Sequence, residues 1–175
     1  MTRLPAVAIT ILLAAFVSAC SDNETPTAPS ASTAPVFTAQ LLPSNEVPPV
    51  PNAEASGTGT VTITLNVTRD ASQTITAATA DFQVTLTGFP ANTTLTAAHI
   101  HNARSGSNGG TINNLGLGAN EFVLTNGSVS FTKNLINFTQ INQVQNILND
   151  PAGFYFNVHS TLNPGGVARG QLVRQ

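Results

Sequence analysis

Hydrophobic and polar side chains alternate along several stretches of the chain. Alternation with a period of two places every second side chain on the same face of a β-strand, so each stretch predicts a strand with one buried face. The clearest strand candidates are residues 61–67, 82–86, 94–101, 154–160 and 167–173.

Two further patterns predict a turn and a helix. Asn126-Gly127 separates the apolar stretches 122–124 and 129–131, and Asn-Gly between apolar runs is a strong hairpin signal. Apolar residues fall at helical spacing over residues 138–148, and Asp150-Pro151 follows them as a stop. We therefore expect a hairpin at the first position and one short helix at the second.

About eight strands and one short helix predict an all-β domain, a Greek-key β-sandwich or a flattened barrel. The composition agrees with this class. The chain contains 24 Thr and 18 Asn, residue types that favour strands and turns respectively. The proline-rich segment 45–51 lacks the backbone donors of a central strand, so it is expected at an edge or in a loop.

Residues 1–19 have the features of a secretory signal. Arg3 precedes an apolar run over residues 4–17, which is too short to cross a bilayer about 30 Å thick as a helix. The run ends in Val17-Ser18-Ala19-Cys20, which resembles a bacterial lipobox in which the thiol of Cys20 receives a lipid. The alternative is an ordinary signal peptide with a chance cysteine.

The composition changes after the signal. Cys20 and residues 21–35 contain no large apolar side chain, so we expect a lipidated cysteine and a disordered tether. Residues 36–175 then form one β domain. Ser21 follows Cys20 where inner-membrane lipoproteins have Asp, which favours a location in the bacterial cell envelope, at the outer membrane.

Charge and cysteine content exclude two classes of protein. Lys and Arg number 6 against 8 Asp and Glu, for a net charge of −2, so the basic surface that binds nucleic acid is missing. A single Cys cannot form an intramolecular disulfide, which excludes a disulfide-stapled secreted domain.

The three histidines are the candidate chemistry of the domain. His99 and His101 alternate on one strand, so their side chains share a face, and His159 ends another strand on its more polar face. Three imidazoles suit copper or zinc, which makes these residues a predicted metal site. The alternative is that they hydrogen-bond to backbone and hold the turn at 102–110 in place.

Other side chains are weaker candidates for the same site. Asp81, Glu121 and Tyr155 can approach it, but the sequence does not place them. No Met or free Cys remains after signal removal and lipidation, so the electron-transfer type of copper site, which needs a thiolate, is excluded.

Five segments that include the histidines follow one another in a fixed order: 37–41 (Phe-Thr-Ala-Gln-Leu), 45–50 (Asn-Glu-Val-Pro-Pro-Val), 97–101 (Ala-Ala-His-Ile-His), 109–110 (Gly-Gly) and 155–172. In this order they resemble the CHRD domain, a family named from chordin and common in exported bacterial proteins. The resemblance spans essentially all of residues 36–175. It implies the fold and an extracytoplasmic location more directly than it implies an activity.

Three functional hypotheses follow. The first is a lipid-anchored, non-enzymatic envelope module that binds copper or zinc, or an extracellular protein. The second rests on a looser likeness to Cu/Zn superoxide dismutase, which also combines a Greek-key sandwich with a His-x-His strand. It is a mononuclear copper redox enzyme in which Arg169 attracts an anionic substrate. The third is a structural or adhesive surface module without metal.

Arg169 also has a structural interpretation. In a domain with so few charges it is expected to pair with Glu46 or to donate to the backbone carbonyls of a loop.

Overall fold

A computed structural model describes residues 34–175, and ten strands form its framework. In chain order they are β1 (Val36–Leu41), β2 (Thr58–Arg69), β3 (Ile75–Thr87), β4 (Thr93–Asn102), β5 (Gly110–Asn114), β6 (Val123–Leu124), β7 (Val129–Asn137), β8 (Phe154–Ser160), β9 (Ala168–Gln171) and β10 (Val173–Arg174). The predicted signal peptide, Cys20 and the predicted tether up to residue 33 lie outside the described residues.

The strands form two antiparallel sheets. Sheet A has the order β10-β1-β2-β3-β7, and sheet B has the order β5-β4-β8-β9, with β6 paired to β4 beside it. The all-β prediction is confirmed, and within residues 34–175 the arrangement is a sandwich without a closed barrel.

Alternation in the sequence accounts for the core between the sheets. In sheet A, Val61 of β2 lies opposite Val84 of β3, and both side chains are buried. In sheet B, the inward side chains include Ile100 of β4 and Phe156 of β8, which also lie opposite each other. The rings of Phe82 and Phe156 meet across the sandwich with centroids 5.9 Å apart.

The predicted helix is confirmed as α1 (Ile141–Asn149). Val144 and Ile147 are its buried residues, and they join the core cluster against β3. The backbone N–H of Asp150 donates to Asn146 at the end of the helix, before Pro151 prevents its continuation. Within residues 34–175, no helix combines the length and the hydrophobicity that a membrane span requires.

The hairpin predicted at Asn126-Gly127 is wrong, although a turn does form there. The N–H of Gly127 donates to the carbonyl of Leu124 at 3.0 Å, but the two flanking strands belong to different pairs. β6 pairs with β4, and β7 pairs with β3 of sheet A. The physical reason is that β6 is only two residues long and its partners lie on β4, so the turn carries the chain from one sheet to the other.

Two features of the strands also differ from the sequence prediction. The sequence pattern does not predict β5, and the predicted strand 167–173 is divided between β9 in sheet B and β10 in sheet A. The proline-rich segment 45–51 lies outside the ladders as expected. Short 3-10 helices flank it at Pro43–Asn45 and Ala53–Ser56.

Candidate metal centre

The three histidines converge on the outer face of sheet B, which points away from the core between the sheets. His99 and His101 lie on β4, and His159 lies on β8 opposite Ala97. One ring nitrogen from each histidine lies within 4.8 Å of the others. These residues can therefore hold one metal ion between them.

Strand alternation explains why His159 reaches this face. Phe156 and Val158 of β8 point into the core, so Tyr155, Asn157 and His159 project to the other side. All of β8 is nevertheless buried. Loops cover the outer face of the strand, and hydrogen bonds from the site reach into these loops at residues 103–109 and 161–166.

Backbone carbonyls fix the orientation of two of the rings. His101 Nδ1 lies 3.1 Å from the carbonyl oxygen of Gly109, and His159 Nδ1 lies 2.9 Å from that of Pro164. A carbonyl oxygen only accepts, so both Nδ1 atoms carry the proton in these hydrogen bonds. The Nε2 atom of each neutral ring is left with a free lone pair, which is the form that binds a metal.

His99 completes the cluster through its Nδ1 atom, which lies 3.0 Å from His159 Nε2. Because that Nε2 carries the lone pair, His99 Nδ1–H is the donor when both rings are neutral. If the proton of His99 moved from Nδ1 to Nε2, a metal ion could take its place between the two nitrogens and accept both lone pairs.

His101 Nε2 has no hydrogen-bond partner although it is buried. A buried nitrogen acceptor without a partner costs free energy, so such atoms are uncommon in native proteins. The unpaired lone pair belongs to the same cluster that offers the metal-ligand geometry. It is a second observation that marks this cluster as the candidate site.

The environment favours neutral rings. Burial, together with the neighbouring His159 and His101, lowers the pKa of His99 from 6.5 to about 4. Burial also lowers the pKa of His101 and of His159, although the hydrogen bonds to Gly109 and Pro164 oppose it. At neutral pH the three rings are therefore neutral, and each can offer one lone pair to a metal once the His99–His159 hydrogen bond is broken.

A stack of three side chains borders the cluster. The rings of His101 and Tyr155 are nearly parallel, 5° apart in plane, with centroids 4.8 Å apart. The guanidinium carbon of Arg169 lies 3.8 Å from the centroid of Tyr155. Since β8 lies between β4 and β9 in the sheet, Tyr155 is held between the histidine and the arginine.

Arg169 donates to the loop that covers this stack. Its guanidinium donates to the Asn108 side chain at 3.0 Å and to the Ser107 carbonyl at 2.9 Å. The side chain is 1% exposed. This placement supports the structural interpretation of Arg169 as a donor to a loop.

Glu46 lies near Arg169 without forming an ion pair with it in the described part of the chain. Burial raises the pKa of Glu46 to about 7, against the opposing charge of Arg169. One of its oxygens, Oε1, is buried without a hydrogen-bond partner. The two charges therefore interact across a gap.

The structure also places the weaker candidates. Asp81 accepts from the backbone N–H of Leu135, and Glu121 binds Lys133, so their polar contacts are made away from the cluster. Tyr155 lies directly against His101. Sequence reasoning left it unplaced, although its position two and four residues before Asn157 and His159 puts all three on one strand face.

Asn157 is a residue of the site that sequence reasoning missed. It lies opposite His99 on β4 and opposite Arg169 on β9, so it occupies the middle of the ligand face. Its Oδ1 atom is buried without a partner. Strand alternation puts it on the face of His159, but only the register of β8 with β4 and β9 places it between His99 and Arg169.

A family comparison covers the part of the chain that contains this site. The model of the CHRD domain family matches residues 37–172. The chain belongs to the CHRD domain family. No curated protein and no solved structure matches it.

The CHRD match contains every residue of the candidate centre, from Glu46 to Arg169. The donors of the centre are chemically suited to copper or zinc, because both metals accept imidazole nitrogen. Within the CHRD domain described here, the group that can hold an ion consists of histidines alone.

Proposed function

We propose that this CHRD domain is a non-enzymatic metal-binding module that holds one copper or zinc ion between His99, His101 and His159. The observation that carries the proposal is the convergence of three ring nitrogens within 4.8 Å. Two of the rings are oriented for binding by hydrogen bonds to backbone carbonyls.

The energetics of the cluster support a bound ion. Three imidazoles are crowded together, and the buried His101 Nε2 lacks a partner. A hydrogen-bonding role alone accounts for Nδ1 of His101 and of His159, but it leaves this atom unsatisfied. A metal ion would supply the missing partner and use all three lone pairs at once.

The position of Arg169 supports a binding role over catalysis. A dismutase-type enzyme would need this cation to face an anionic substrate, whereas the Arg169 side chain is buried and donates to Ser107 and Asn108. The CHRD family is also not a known enzyme family.

A mononuclear copper redox enzyme is the second candidate, and the exposure of His99 favours it. His99 is half-buried, whereas the other two histidines are buried. Solvent can therefore approach the cluster on the side of His99, which would give a small substrate access to bound copper. Superoxide turnover by the copper-loaded protein tests this candidate; bound copper without turnover would favour the binding module.

We propose further that the module is attached to the bacterial envelope by a lipid on Cys20 and sorted to the outer membrane. The lipobox-like sequence 17–20 and the tether-like composition of the following residues support this location. The proposal predicts that the protein incorporates labelled palmitate and fractionates with outer membranes, and that Cys20→Ser abolishes both. A Cys20→Ser protein that still incorporates label would contradict it. An extracellular protein partner would be reached from the same location.

Metal content tests the binding proposal. The full chain is extracted in mild detergent, exposed to micromolar copper or zinc, and analysed by elemental mass spectrometry. We expect one ion per chain, lost in His101→Ala and retained in Thr111→Ala, whose position is exposed and lies opposite His101 on β5. A wild type that retains neither metal would overturn the proposal and leave a structural or adhesive module.

A further inference from the structure

The charge around the histidine cluster restricts the kind of ion that it can hold. Its three donors are neutral imidazoles, and no carboxylate or thiolate of residues 34–175 belongs to the group. Divalent zinc in a closed protein site takes four ligands, often with anionic ones that offset its charge. Here the chain offers three ligands and no negative charge among them.

The charged group stacked beside the cluster is a cation. Arg169 lies against one face of Tyr155, and His101 lies against the other. One aromatic ring therefore separates the guanidinium from a ligand of the metal. In a buried environment this positive charge repels a divalent metal ion more strongly than a monovalent one.

The buried carboxyl groups nearby do not offset this charge at the cluster. Glu46 interacts with Arg169 across a gap and has a pKa of about 7, so a large share of it is uncharged at neutral pH. Glu54 accepts from Ser160. Ser160 is next to His159 on β8, so its side chain leaves the opposite face of the strand.

We propose that the three-histidine site selects monovalent copper, Cu(I), over the divalent ions Zn(II) and Cu(II). This inference rests on the proposed metal-binding function and specifies its ligand. Cu(I) is satisfied by three nitrogen ligands and brings one positive charge instead of two. A divalent ion would take a fourth ligand, which solvent on the side of His99 can provide, but no negative charge in the histidine group would offset its second positive charge.

Replacing Asn157 tests the role of charge, because Asn157→Asp adds a negative charge with little change in the shape of the side chain. It lies between His99 and Arg169 in the sheet, and its Oδ1 has no partner. Asn157→Asp adds one negative charge to the ligand face and a partner for Arg169. Asn134→Asp on β7 of sheet A is the matched control, because it adds the same charge at an exposed position in the other sheet.

The test compares dissociation constants for Cu(I) and Zn(II) in the full chain. Cu(I) is measured anaerobically under ascorbate against a chromogenic Cu(I) chelator, and Zn(II) is measured against a zinc chelator. We expect tighter binding of Cu(I) than of Zn(II). Asn157→Asp should lower the ratio of the Zn(II) to the Cu(I) dissociation constant by about tenfold or more, because an added negative charge attracts a divalent ion more than a monovalent one. Asn134→Asp should leave it unchanged.

Two results would overturn the inference in distinguishable ways. Zinc binding equal to or tighter than Cu(I) binding in the wild type would refute Cu(I) selectivity and leave the proposed metal-binding function standing. Failure of both metals to bind would refute the proposed function and this inference with it. Circular dichroism of each variant establishes that the compared proteins are folded.

Discussion

His101 and Tyr155 lie directly opposite each other on β4 and β8, and their rings stack with centroids 4.8 Å apart. The contact joins a candidate metal ligand to the aromatic residue that also carries Arg169 on its other face. The orientation of His101 is thus set from two sides, by this ring and by the Gly109 carbonyl. The proposed metal centre and the packing of the outer face of sheet B are one unit.

Replacing Tyr155 should separate the effect of its ring from that of its hydroxyl. Tyr155→Ala removes a buried ring and should lower the free energy of unfolding by about 3–5 kcal/mol. Tyr155→Phe keeps the stack and loses only a long 3.4 Å contact with the Gly109 N–H, so it should cost less than about 1 kcal/mol. Urea unfolding of the metal-free protein measures both. Equal losses in the two variants would show that the ring contributes little.

Gly109 and Gly110 form a matched pair for testing the backbone beside His101. A Cβ at Gly109 would clash with the carbonyl oxygen of Asn102, whereas a Cβ at Gly110 meets nothing within 4 Å. We expect Gly109→Ala to cost about 1–3 kcal/mol of stability through overpacking and to weaken metal binding, because the Gly109 carbonyl must shift. Gly110→Ala should retain both properties. Thermal unfolding and metal titration check this, and similar behaviour of the two variants would contradict it.

The loop over residues 103–109 should become more mobile when the guanidinium of Arg169, which donates two hydrogen bonds to it, is replaced. Arg169→Lys keeps the positive charge but cannot reach Asn108 and Ser107 with the same planar geometry. Arg104 lies in this loop, and its side chain is 69% exposed. We therefore expect trypsin to cleave after Arg104 several times faster in Arg169→Lys than in the wild type.

The control for this experiment is the cleavage rate after Arg69, at the end of β2 in the other sheet. That rate should be the same in both proteins if the change is local. An unchanged rate after Arg104 would mean that the Arg169 hydrogen bonds do not hold the loop.

Glu46 should give the stability of the protein a specific dependence on pH. Burial raises its pKa from 4.5 to about 7, so between these values the native state binds a proton that the unfolded state releases. The contribution of the protonated Glu46 carboxyl to the free energy of unfolding is fully present below pH 4.5 and is lost as the pH rises through 7. Relative to Glu46→Gln, the wild type should lose about 2 kcal/mol between pH 5 and pH 8.

Urea unfolding of both metal-free proteins across this range measures the difference. The three histidines titrate in both proteins alike, so their contribution cancels in the comparison. Parallel stability curves for the wild type and Glu46→Gln would contradict the raised pKa.

Period-two alternation was sufficient to predict several of the longer strands and the shared face of His99 and His101. It failed where tertiary pairing decides the structure. Asn126-Gly127 forms a turn, but its flanking strands find their partners on β4 and β3. A turn signal describes local backbone only, and it contains no information about which strand edge lies nearby.

The meeting of the histidines could be predicted only in part. Alternation placed His159 on the polar face of its strand, but its distance from His99 depends on the register between β4 and β8, which sequence alone does not give. The same holds for Asn157 and for the stack on Tyr155. The burial of Arg169 could not be predicted from the sequence either, because it depends on how the loop over residues 103–109 folds across the outer face of sheet B.

X-ray absorption spectroscopy of the metal-loaded full chain is the sharpest test of the three-histidine site, since it reports the atoms bound to the ion. We expect a first shell with three nitrogen atoms at about 2.0 Å and the multiple-scattering pattern of histidine imidazole. That pattern should weaken by one ring in His99→Ala. A first shell of oxygen atoms without imidazole scattering would contradict the assignment of His99, His101 and His159 as the ligands.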